Sequence, residues 1–160
     1  MKYDVIIIGA GPGGIFSAYE LSKTVPTMKI AIFEEGKELE KRKCPIDGEK
    51  IKNCVRCESC SIMSGFGGAG AFSDGKLSLS YEVGGDFPEL IGVEKAQELI
   101  DYTDGIYLAF GADEKVEGVQ HKGEVKAIRK RAIMAGLKLV DCPIRHLGTE
   151  KAQEIYVLPA

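Results

Sequence analysis

The sequence predicts an α/β fold built on a parallel sheet. Three observations carry that prediction. Two short segments, Tyr3–Ile8 and Lys29–Phe33, are apolar with almost no polar break, as expected of strands buried on both faces of a parallel sheet. Between them, Ile15–Lys23 places Ile15, Ala18 and Leu21 along one helical face. The unit from Tyr3 to Glu34 covers about the 30 residues that a strand–helix–strand crossover needs.

The elements follow in order. Pro26 ends the first helix, because the position before a proline disfavours helical backbone. Lys37–Lys43 reads as a short charged helix. Cys44–Gly75 has neither helical nor strand period and reads as a long loop, of a length that is usually functional or disordered. Leu77, Leu79, Tyr81 and Val83 alternate with polar residues, which predicts a strand. Val93–Phe110 and Glu124–Ala135 read as amphipathic helices, the second closed by Gly136. Leu137–Val140 reads as a strand, and Thr149–Leu158 as a helix that starts shortly before the sequence stops. The whole, residues 1–160, is read as one N-terminal domain of a longer architecture, with 93–160 opening an inserted substrate-side region.

Composition narrows the function. The chain has 160 residues, 44% hydrophobic and 28% charged, which suits one globular domain. Its 21 basic and 24 acidic residues give a net charge of −3, so a nucleic-acid partner is not expected. No apolar run reaches the roughly 20 residues of a membrane helix, and no signal-peptide pattern opens the chain. A cytoplasmic protein with no membrane partner is expected. Glycine is in excess, at 20 of 160 residues, and is clustered at Gly9–Gly14 and Gly65–Gly75. Clustering of that kind points to backbone held close to another group.

The first cluster, Gly9-Ala10-Gly11-Pro12-Gly13-Gly14, has the GxGxxG spacing of a dinucleotide-binding turn. It follows a strand, opens a helix, and precedes a second strand that ends at the acidic Glu34. Gly9 permits the tight turn, Gly11 lets a pyrophosphate approach the backbone, and Gly14 lets helix and strand pack closely. Ala10, Pro12 and Gly13 complete the turn, and the helix N-terminus offers amides and a positive dipole end to phosphate. Glu34 is placed to accept hydrogen bonds from ribose hydroxyls and to disfavour a 2′-phosphate. The expected fold is therefore Rossmann-like and FAD- or NAD(P)-binding. Arg42, eight residues past Glu34, is either a phosphate contact or one charge in the run Glu38–Lys43.

The segment Asp4–Gly14 resembles the N-terminal signature of two-dinucleotide-binding, glutathione-reductase-like flavoproteins, in which this site holds the ADP half of FAD. The segment Ser64–Leu77, with its Gly67-Gly68-Ala69-Gly70 core and Ser73-Asp74-Gly75 end, resembles the predicted FAD-dependent dehydrogenase family, as do Arg42–Pro45 and Cys142–Thr149. The resemblance implies FAD bound by Gly9, Gly11, Gly14 and Glu34. It places Gly67, Gly68, Gly70, Ser73 and Asp74 near the flavin or pyrophosphate. It also implies a chain several times longer, whose C-terminal part closes over the flavin.

Cys54, Cys57 and Cys60 are spaced CxxCxxC, with Cys44 or Cys142 as a fourth thiol. An iron–sulfur cluster, zinc and free redox-active thiols are all open readings, and the three close thiols are expected together in space. Of two histidines, His146 is the candidate for proton transfer, with a structural role as its alternative. The function expected is that of an FAD-dependent oxidoreductase or dehydrogenase acting on a small-molecule substrate or redox partner. Its rivals are an NAD-binding dehydrogenase module, an inert FAD-binding fragment and an electron-transfer module.

Overall fold

Val5–Ile8 forms β1, Pro12–Thr24 forms α1, and Ile30–Phe33 forms β2. The computed structural model describes residues 2–148 and 150–153, which divide into two units between Ser73 and Asp74. In the first unit β1 and β2 pair in parallel, with Val5 opposite Ile30 and Ile8 opposite Phe33. The ladder continues one residue further, where the Gly9 amide donates to the Phe33 carbonyl at 2.7 Å. The crossover is α1. It starts three residues earlier than the apolar pattern suggests, because Pro12 sits at its first turn with φ already set for a helix. It closes at Val25, the residue before Pro26.

The strands are not buried on both faces as the sequence suggests. Ile6 is 57% exposed and Ile8 81% exposed, whereas Val5 and Ile7 are half-buried. The reason lies in the layering. Ile7 faces Gly14 of α1, while Ile6 and Ile8 on the opposite face of the two-stranded sheet stay exposed. Beyond β2, the expected charged helix at Lys37–Lys43 contracts to a single 3-10 turn, Leu39–Lys41. Within the long loop, Ala69–Phe72 forms a second 3-10 turn, with Ala71 fully buried.

The second unit holds β3 (Lys76–Ser78), α2 (Phe87–Ile91), α3 (Val93–Ala109), α4 (Lys122–Met134) and β4 (Ile144–His146). β3 and β4 pair antiparallel, with Leu77 opposite Arg145. Glu117 and Ile144 exchange two backbone hydrogen bonds beside them, at 2.7 and 3.0 Å. The strand expected along Leu77–Val83 stops at Ser78, because its partner is only three residues long. The strand expected at Leu137–Val140 is absent. Gly136, at φ 72°, ends α4 as expected, but the Leu139 carbonyl accepts from the Arg129 side chain and not from a ladder; pairing begins at Ile144, past Pro143. Residues 150–153 are helical; Thr149 and residues 154–160 of the expected last helix lie outside the described residues. Among the described residues no helix is long and apolar enough to cross a membrane.

Candidate dinucleotide-binding site

The first glycine turn has the backbone its composition requires. Gly9 adopts φ 97°, a region that L side chains rarely enter. A Cβ on Gly14 would drive into the Gly9 carbonyl oxygen and lie 3.3 Å from Ile7 Cγ2, so only glycine allows α1 to seat on β1. At Gly11 and Gly13 a Cβ would meet nothing within 4 Å. These two positions border open space at the mouth of α1, whose first intrahelical bond runs from the Ile15 amide to the Gly11 carbonyl. The Gly13 and Gly14 amides precede it and have no acceptor within the helix.

The second glycine segment lies directly against this turn. The Gly67 amide donates to the Ala10 carbonyl at 2.9 Å. A Cβ on Gly68, which has φ 60°, would stand 3.2 Å from Gly11 Cα and 3.3 Å from Pro12 Cδ. Gly65 and Gly67 are both buried. Thus two loops more than 50 residues apart in sequence form one surface made almost entirely of backbone.

Glu34 joins the two loops. One carboxylate oxygen accepts from the Ala10 amide at 2.7 Å; the other accepts from Gly36 and Gly65, each at 3.0 Å. The Ala10 and Gly36 hydrogen bonds, and then that of Gly65, hold its pKa below the ordinary 4.5 against a smaller opposing effect of burial. A carboxylate offers about four lone-pair positions, so three backbone amides leave roughly one for a ribose hydroxyl.

Arg42 lies under the loop, 2% exposed. Its Nε donates to Ser61 O at 2.8 Å and its Nη2 to Ile62 O at 2.8 Å. Its Nη1 donates to Phe66 O and Gly68 O at 2.6 and 2.8 Å. The guanidinium also stacks on the Phe72 ring, 4.6 Å from its centroid. Four of five N–H groups are therefore committed to the protein's own carbonyls. Neither sequence reading of Arg42 described this arrangement: the residue is not a solvated charge, and its guanidinium is turned onto the loop's own carbonyls.

Other candidates fall elsewhere. Gly70 accepts at its carbonyl from the Ser73 amide and hydroxyl, and Ser73 is exposed. Asp74 belongs to the second unit, paired with Lys76 at 2.7 Å on the surface. His146, on β4, lies opposite Lys76 and 3.7 Å from Glu117. Cys44, Cys54 and Cys57 are exposed and Cys60 half-buried, all as free thiols. No three His, Cys, Asp or Glu side chains among the described residues form a set that could hold a metal. The thiols of the CxxCxxC run are thus not arranged as a ligand set among the described residues. The loop around them has no regular structure that would turn all the thiols to one point.

Two features escaped the sequence reading. Arg145 is 4% exposed and grips Asp104 of α3 through Nε and, at 2.7 Å, through Nη2, with Nη1 on the Asp113 carbonyl. A cleft of about 330 Å³ opens in the same unit, lined by Ser78, Tyr81, Phe87 and Ile100 among others.

Comparison with known proteins points to the same end of the chain. The Thi4 family, whose members are FAD/NAD-binding-like flavoproteins, matches residues 1–39. That span holds β1, the glycine turn, α1, β2 and Glu34. An uncharacterized protein of Clostridium beijerinckii is 37% identical over 78 residues, covering 49% of this chain and 14% of its own length. The chain thus matches about a seventh of that relative. No solved structure gives a significant match. The Thi4 match supports a nucleotide- or flavin-binding domain at the N-terminus of a mixed α/β chain.

Proposed function

We propose that residues 1–73 bind the ADP half of FAD in a Rossmann-like crossover, as part of an FAD-dependent oxidoreductase. The observation that carries the reading is the joining of two glycine loops by Glu34 and by the Gly67–Ala10 hydrogen bond, with open space left at Gly11 and Gly13. A pyrophosphate fits such a place because no Cβ stands in its way and the first amides of α1 face outward with the positive end of the helix dipole. Glu34 takes the adenosine ribose with its remaining lone pair and repels a 2′-phosphate. The second loop supplies a flat, side-chain-free wall. Bound flavin would supply hydride or electron transfer with a small-molecule substrate or redox partner, in the cytoplasm.

The test is anaerobic purification followed by an absorption spectrum, then titration of the flavin-free chain with FAD, NAD and NADP. FAD binding tighter than NAD, with NADP weakest, supports the reading. Binding of NAD alone transfers the site to a nicotinamide-dependent module. No binding of any of the three refutes it.

A further inference from the structure

We infer that Arg42 is the positioning residue of this site, fixing the shape of the second glycine loop where it meets the dinucleotide turn. The inference rests on the dinucleotide reading of the two loops and concerns how their surface is held.

Residues 61–68 contain no helix or strand, yet most of their backbone groups have partners. The carbonyls of Ser61, Ile62, Phe66 and Gly68 all accept from one guanidinium. The amides of Gly65, Phe66, Gly67 and Gly68 go to Glu34, Lys37, Ala10 and Gly65 respectively. A loop so held is rigid before any ligand arrives, and rigidity of that kind raises affinity by removing the ordering cost of binding. The fork geometry matters. An ammonium carries three donors on one atom and cannot reach carbonyls from four residues spread around a plane.

Charge is a second contribution. Among the described residues no carboxylate lies within ion-pair distance of Arg42, so its partners are dipoles only. Burial lowers its pKa, with Glu34 and Cys60 opposing at longer range. The buried cation stands behind Gly68, whose Cα neighbourhood abuts Gly11. An anion at Gly11 therefore gains from Arg42 without touching it.

The experiment compares wild type with Arg42→Lys, Arg42→Met and the exposed neighbour variant Lys41→Met. Two quantities are read: hydrogen exchange of amides 64–68 without ligand, and FAD affinity by titration. Both Arg42 variants should exchange at least tenfold faster in 64–68 and bind FAD at least tenfold more weakly, with Lys41→Met unchanged in both. Methylguanidinium, and not methylammonium, should restore part of the affinity of an Arg42→Ala form. Exchange in β1 and α1 reports whether the first unit stays folded. Should the Arg42 variants unfold, Phe72→Leu removes only the ring under the guanidinium, and it should give a smaller effect of the same sign in both readouts.

Wild-type exchange and affinity in Arg42→Lys would overturn the inference, since charge alone would then suffice. A wild-type protein that binds neither FAD nor NAD would overturn the dinucleotide reading, and this inference with it. A wild-type protein that binds FAD while all Arg42 and Phe72 variants match it would overturn this inference alone.

Discussion

Each unit buries one arginine, and the two are neutralised in opposite ways. In the second unit Arg145 faces a carboxylate, Asp104, in a two-pronged ion pair; Asp104 holds its pKa above the ordinary arginine value. In the first unit Arg42 faces only carbonyls and an aromatic ring, and burial lowers its pKa. The Arg145 arrangement is electrically complete and ties β4 to α3. The Arg42 arrangement holds an irregular loop in one shape, with no carboxylate in ion-pair contact and Glu34 acting only at longer range. A buried cation with no ion-pair partner is costly unless its N–H groups are satisfied, as the four carbonyls satisfy them here. The contrast sets an ion pair that ties two elements together against an arginine that shapes a loop.

The comparison can be broken most sharply at the ion pair. Arg145→Ala should lower the stability of the second unit by about 3–5 kcal/mol, because it strands the Asp104 carboxylate among partly buried groups. Urea unfolding followed by circular dichroism checks this. A loss below about 1 kcal/mol would mean the pair is a surface bridge in effect.

Next in size is Gly14→Ala in the first unit. The added Cβ cannot avoid the Gly9 carbonyl, so α1 must lift from β1. A cost of about 3 kcal/mol is expected from overpacking against backbone. Gly13→Ala, one residue away with nothing within 4 Å, should instead be neutral or stabilising by up to about 1 kcal/mol, as expected of alanine replacing glycine inside a helix. The same denaturation curves measure both. A similar loss from the two substitutions would show that the turn, and not the close approach at Gly14, sets the tolerance.

A third difference lies in acid sensitivity. Glu34 has a folded-state pKa below 4.5, so the unfolded chain binds its proton more readily. Its contribution is therefore fully present above about pH 4.5 and is lost as the pH falls through the lowered folded value. Glu34→Gln should remove that part of the pH dependence and cost roughly 1.5–3 kcal/mol at neutral pH, the worth of hydrogen bonds to a charged acceptor. Stability of wild type and variant measured from pH 7 down to pH 3 should converge at the acid end. Parallel curves would place the acid sensitivity elsewhere.

The sequence made the first unit legible where local rules apply. The order β1, glycine turn, α1, β2, Glu34 follows from spacing alone, and the clustered small residues at 65–70 were legible as backbone brought close to another group. The partners were not legible. Arg42 sits in a run of charges, Glu38–Lys43, that reads as a solvated face, and its acceptors lie 19 to 26 residues away. Arg145 and Asp104 are 41 residues apart, with nothing local to link them. The strand forms at Ile144–His146 and not at the more apolar Leu137–Val140, because tertiary pairing with β3 selects the former. α2 is too short to show a helical period, although Pro88 in its first turn marks a helix start. The exposed faces of Ile6 and Ile8 were not foreseen, since an apolar strand does not say how many layers will cover it.

The central claim is that the two glycine loops form one nucleotide site. Hydrogen exchange read by mass spectrometry, with and without saturating FAD, tests it most directly. The account predicts that amides in residues 9–15 and in residues 64–70 gain protection together, at the same FAD concentration, while α3 and α4 are unchanged. Protection confined to residues 9–15, or protection at neither loop, would contradict it.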